Sequence, residues 1–144
     1  VRLTRAGEYG VRCILYLAGC PRGEVVKKKE VALNMEIPDQ FLSKIAQQLA
    51  VAGIVEIIQG SKGGLRLARD PKNISLLDVV EAITGEIFLN DCVSDPNSCR
   101  NQPTCSVHRV WSKARMQLRE TLGGATFAGL VEEGHCLQKK DDRA

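Results

Sequence analysis

The stretch from Asp39 to Ala68 restricts the folds open to this chain more than any other. Phe41, Leu42, Ile45, Leu49 and Ala52 recur at helical spacing and predict an amphipathic helix, which Gly53 ends as its C′ residue. Ile54 to Ile58 is rich in β-branched residues, Gly60-Ser-Lys-Gly-Gly64 is a turn, and Leu65 to Ala68 alternates apolar with polar. Upstream, Lys27 to Leu33 predicts a short helix that stops near Asn34, and Ile37-Pro38 restarts the chain. Two short-linked helices followed directly by a hairpin are the order of a winged helix-turn-helix. The expected class is mainly α with a small β wing: a winged helix-turn-helix domain plus a long dimerisation helix.

The remaining segments fit around that unit. Residues 3 to 18 place Ala6, Tyr9, Cys13, Ile14 and Leu17 on one helical face, with Thr4 as N-cap and Glu8 in the first turn, where a carboxylate complements the helix dipole. Cys13 reads as a core thiol, while Cys20 lies at the helix end. Ser75-Leu-Leu-Asp78 is a capping box opening a helix from Leu76 to Thr84, closed by Gly85. Val107, Val110, Trp111, Ala114, Leu118 and Leu122 form an apolar stripe along a long helix ending at Gly123-Gly124. So short a chain offers that stripe few partners, so it is expected to pack on its twin in a homodimer, a core-only role being the alternative. Thr126 to Glu133 predicts one more short helix. The expected organisation is a DNA-binding domain over 1–85, a loop over 86–108, dimerisation helices over 106–134 and a flexible tail over 135–144.

Charge points the same way. Residues 1–70 hold eleven Lys or Arg against seven Asp or Glu, a balance of +4, whereas residues 71–144 hold nine against ten, or −1. The positive half is the half with the helix-turn-helix, which suits a polyanion. Gln40, Ser43 and Lys44 are the expected base-reading residues, and Lys27, Lys28, Lys62 and Arg66 the expected phosphate contacts. No apolar run reaches a membrane span and the first twenty residues show no cleavable signal, so a cytoplasmic protein with reduced cysteines and no membrane partner is expected. His108 and His135, the only histidines, neighbour no constellation for acyl transfer, and catalysis is not expected.

Half of the six cysteines fall in a polar, proline-containing stretch: six residues separate Cys92 from Cys99, five separate Cys99 from Cys105, and two separate Cys105 from His108. Thiolates with a nearby imidazole suit a soft or borderline metal. The gaps exceed those usual for zinc and favour a larger object such as an iron-sulfur cluster, with a redox pair or inert thiols as alternatives.

Taken together, Arg2-Leu3-Thr4 with Tyr9, Phe41-Leu42 with Leu49 and Gly53, the Gly60 to Ala68 segment and the three-cysteine loop resemble the winged-helix repressor family of the iron-sulfur cluster regulator IscR. Its relatives include the nitric-oxide sensor NsrR, the iron-responsive RirA and the cysteine-metabolism regulator CymR. The resemblance runs from residue 2 to about 131. It implies a homodimeric transcriptional regulator that binds double-stranded operator DNA and carries a cluster on Cys92, Cys99 and Cys105. His108 is the implied fourth ligand and favours 2Fe-2S over 4Fe-4S. Two positions depart from the pattern: the first cysteine gap is one residue longer, and Gln59 stands where IscR-like proteins place a minor-groove arginine. Glu8 matches the carboxylate ligand of the nitric-oxide-sensing 4Fe-4S branch and is the rival fourth ligand. The same cysteines would also serve a zinc or thiol-switch repressor, or a small electron carrier.

Overall fold

The computed structural model describes residues 3–87 and 105–134. Helix α1 (Arg5–Ala18) is the post around which the rest is built. Thr4 caps it as expected, its hydroxyl accepting the Gly7 N–H at 3.1 Å. Cys13, Ile14 and Leu17 are buried, and so are Leu15 and Tyr16, because α1 is covered from several sides by the elements that follow.

Helices α2 (Lys28–Met35) and α3 (Asp39–Val51) form the predicted helix-turn-helix against α1. Asn34 proves to be inside α2 and 4% exposed. Its Nδ2 donates to the Glu30 carbonyl at 2.8 Å and to Tyr16 Oη at 3.4 Å, while Tyr16 Oη donates to Glu30 Oε2 at 2.5 Å, so the buried amide is satisfied. The turn uses Glu36 in the left-handed region at φ 54°. Arg12 braces it from α1 by donating to the carbonyls of Met35 at 3.3 Å and Glu36 at 3.5 Å.

Strands β1 (Val55–Ile58) and β2 (Gly64–Leu67) pair antiparallel with Glu56 opposite Arg66. On the other edge of β2, Leu65 exchanges both backbone hydrogen bonds with Val26, at 2.7 and 2.8 Å. A 3-10 turn (Pro71–Asn73), capped by Asp70, leads into α4 (Leu76–Thr84), where Ser75 and Asp78 form both halves of the expected capping box. Gly7 and Gly10 let α4 lie close on α1, since a Cβ at Gly10 would stand 2.9 Å from Ile83 Cγ1.

Helix α5 (Ser106–Gly123) packs on α4, and α6 (Phe127–Glu133) turns back toward the first domain. Phe127 is fully buried in the same core as Cys13 and Leu49, and its N–H donates to the Ile74 carbonyl at 3.0 Å. Residues 127–133, grouped by sequence with the dimerisation helices, thus complete the N-terminal core.

Two members of the predicted apolar set of α3 lie elsewhere. Ala52 follows the last turn and is exposed, and Phe41 is 47% exposed, because the helical angle places it at the margin of the arc formed by Leu42, Ile45 and Leu49.

Cys13 is the core thiol expected, and burial pushes it up from 9.0 to about 12. Above pH 9 the unfolded chain releases this proton while the folded protein keeps it, so stability falls as pH rises from 9.0 toward about 12. Urea unfolding across that range should show a steeper alkaline loss for the wild type than for Cys13→Ala, by about 1 kcal/mol or more near pH 10. Parallel curves would remove the thiol as the cause.

Candidate nucleic-acid interface

The exposed face of α3 carries the residues expected to read bases. Gln40, Ser43 and Lys44 are exposed together with Gln47, and about 100° of rotation per residue brings them onto one arc. The hydroxyl, amide and ammonium groups supply the donors and acceptors that base edges in a major groove can pair with.

The helix ends carry a second signal. Side chains cap α1 (Thr4), α4 (Ser75), α5 (Cys105) and α6 (Thr126). The two helices of the helix-turn-helix begin at Lys27 and Pro38, and neither makes a side-chain cap hydrogen bond. Their first N–H groups therefore keep capacity for an outside acceptor such as a phosphate oxygen. Lys27 is exposed at the start of α2 and Lys28 is half-buried, a placement that opposes the helix dipole and that an incoming anion would relieve.

In the wing, Lys62 is exposed at the turn, with Gln59 exposed beside Gly60. Arg66 is occupied: it forms an ion pair with Glu56 across the strands, its Nε donating to Glu56 Oε2 at 3.0 Å. A phosphate would have to compete with that carboxylate, so Lys62 is the better-placed wing cation. Gly63 and Gly64 approach the chain's own backbone closely. A Cβ would lie 2.1 Å from the Ile58 carbonyl oxygen at Gly63 and 2.2 Å from that of Val26 at Gly64.

Of the expected metal ligands, Cys92 and Cys99 lie outside the described residues. Cys105 is the N-cap of α5, with Sγ accepting the His108 N–H at 3.4 Å. His108 stands one turn along, with Nε2 3.4 Å from Ser112 Oγ. Glu8 is exposed in the first turn of α1. Among the described residues no three His, Cys, Asp or Glu side chains converge.

The flank of α5 beside this pair is held to α4 by groups that local patterns do not reveal. Arg115 forms an ion pair with Glu86 and donates through Nε to the Ile87 carbonyl at 2.7 Å, and Arg119 pairs with Glu81. Glu81 Oε2 also accepts the Ile87 N–H at 2.9 Å. The partners of Arg115 and Arg119 are 28 to 38 residues away in sequence, as Met35 is 23 from Arg12, so nothing short of the tertiary fold pairs them. The predicted dimerisation stripe occupies the neighbouring face: Val107, Val110 and Trp111 are exposed, whereas Ala114, Leu118 and Leu122 are half-buried.

The described architecture matches solved structures over nearly its whole length. CymR of B. subtilis superposes with a TM-score of 0.76 at 22% identity, covering 92% of this chain and 98% of that one. IscR of T. potens gives 0.73 at 23%, covering 92% and 88%. At these identities the likeness establishes the winged-helix fold. An HTH-type transcriptional regulator of Aquifex aeolicus is 30% identical over 132 residues, 89% of this chain and 91% of its own. Residues 3–133 match the Rrf2 model, described as an iron-dependent transcriptional regulator. The chain belongs to the Rrf2 family. As an Rrf2 protein it is a DNA-binding transcriptional regulator and not an enzyme. No helix among the described residues is long and apolar enough to cross a membrane.

Proposed function

We propose that this Rrf2 protein is a homodimeric regulator, in the repressor mould, whose affinity for operator DNA follows the state of a 2Fe-2S cluster held by Cys92, Cys99, Cys105 and His108. The observation that carries the reading is the start of α5, where a thiol and an imidazole, donors suited to iron, share one helical turn. The iron-dependent description of the family supports it. When bound, the cluster supplies an iron-thiolate centre that gains or loses an electron or is dismantled.

The chain's own groups do the rest. Cys105 and His108 anchor the ligand-bearing segment where it meets α5, and Arg115 holds Glu86 and Ile87 at the other end of it. Because α4 joins that clamp to α1, a change in how the segment is held reaches the helix that carries α2 and α3. Gln40, Ser43 and Lys44 read bases, while Lys27, Lys28 and Lys62 contact phosphates. The stripe Val107, Val110 and Trp111 meets its twin in the second subunit, since these three side chains stay exposed beside the flank that Arg115 and Arg119 hold in place.

Protein purified without oxygen should hold two irons per chain and absorb between about 320 and 600 nm through iron-thiolate charge transfer. Replacing Cys92, Cys99 and Cys105 together by Ala should remove the iron and change operator affinity by about 5- to 150-fold. Equal affinity for the loaded protein and the triple variant would sink the coupling. Four irons would move the fourth ligand to Glu8, and a colourless protein would indicate zinc or a thiol switch.

A further inference from the structure

We propose that Phe41 reads a thymine through its 5-methyl group, adding an apolar determinant to the polar readout of α3; the inference rests on α3 being the base-reading helix. Phe41 is 47% exposed in the first turn of α3, and the helical angle puts it at the edge of the outward arc, between Lys44 on that arc and Ile45 on the buried one. The N-terminal turn of a recognition helix is the part that meets base edges.

A singly exposed aromatic is ordinary on a protein surface. This one is braced. Its ring lies 5.7 Å from that of Tyr9, tilted by 55°, and Tyr9 is itself buried beneath the Arg12 guanidinium, 5.5 Å from the ring centroid. Arg12 also holds the turn between α2 and α3. The ring is thus tied to the element that sets the angle of α3, and little side-chain freedom remains to be lost on binding. Gln40, Ser43 and Lys44 can pair with base edges through polar atoms, but an apolar face discriminates only where a base offers a methyl group, and in the major groove that base is thymine.

The test uses the full chain and a random duplex library. After selection, each thymine of the recovered site is replaced singly by deoxyuridine, which deletes only the methyl. Wild-type protein should lose about fourfold in affinity at one thymine per half-site, the value of one buried methyl. In Phe41→Ala that penalty should vanish while losses at positions read by Gln40 and Lys44 persist. Phe41→Gln, which keeps a helix-compatible side chain should the alanine variant not fold, should show the same. A recovered site at which no deoxyuridine weakens binding, or at which every penalty survives both variants, overturns the role of Phe41 alone. A library from which the wild type selects nothing overturns α3 as the reading helix, and this proposal with it.

Discussion

Gly64→Ala should cost about 3 kcal/mol or more of unfolding free energy, a large effect for one methyl group. A Cβ at this position would stand 2.2 Å from the Val26 carbonyl oxygen and 2.7 Å from its carbon. Both atoms belong to backbone, which cannot swing aside as a side-chain tip would. Relief requires β2 to move off Val26, and that breaks the two hydrogen bonds, at 2.7 and 2.8 Å, that tie the wing to the segment before α2. Gly60 provides the contrast. It has φ +100° but nothing within 4 Å of a built Cβ, so Gly60→Ala carries only a conformational penalty of about 1–2 kcal/mol. Urea unfolding followed by circular dichroism distinguishes the two. An equal or smaller loss at Gly64 would mean that the wing is not locked through Val26.

Phe127→Ala should cost about 3–5 kcal/mol, the range for emptying the site of a large core aromatic. Phe127 is fully buried in the core, on a helix that packs against α1 and the 3-10 turn, and the Ile74 carbonyl holds its backbone. The effect should extend across the whole molecule. Trp111, the single tryptophan, reports on α5 by fluorescence, and far-ultraviolet circular dichroism reports on all the helices. The two signals should shift together in the variant. If only the tryptophan transition moves, α5 and α6 form a unit that unfolds apart from the winged domain.

Much of the candidate site is legible in the amino-acid sequence. The polar face of α3, with Gln40, Ser43 and Lys44, follows from helical periodicity, and the structure leaves all three exposed. Lys62 follows from its place in a glycine turn. Arg66 shows where such reading stops: its charge is evident from sequence, but strand register sets it opposite Glu56, which takes that charge. Phe41 shows the same limit in reverse. Its apolar character assigned it to the core, yet its angle on the helix leaves it half outside, leaning on Tyr9.

What the sequence by itself determined are features whose partners lie within about four residues: the Thr4 cap, the Ser75 and Asp78 capping box, the inward face of α3 and the turn at Gly60. The backbone geometry of a helix or turn brings such partners together whatever the rest of the chain does. Only the tertiary structure decided what stands across from each element. It placed Arg12 over the carbonyls that end α2, set Arg119 against Glu81, and brought Phe127 back into the first core. It also turned the wing glycines toward Val26 and Ile58. Periodicity states which face must be buried; which surface buries it depends on packing among segments far apart in the chain, and that is a property of the whole fold.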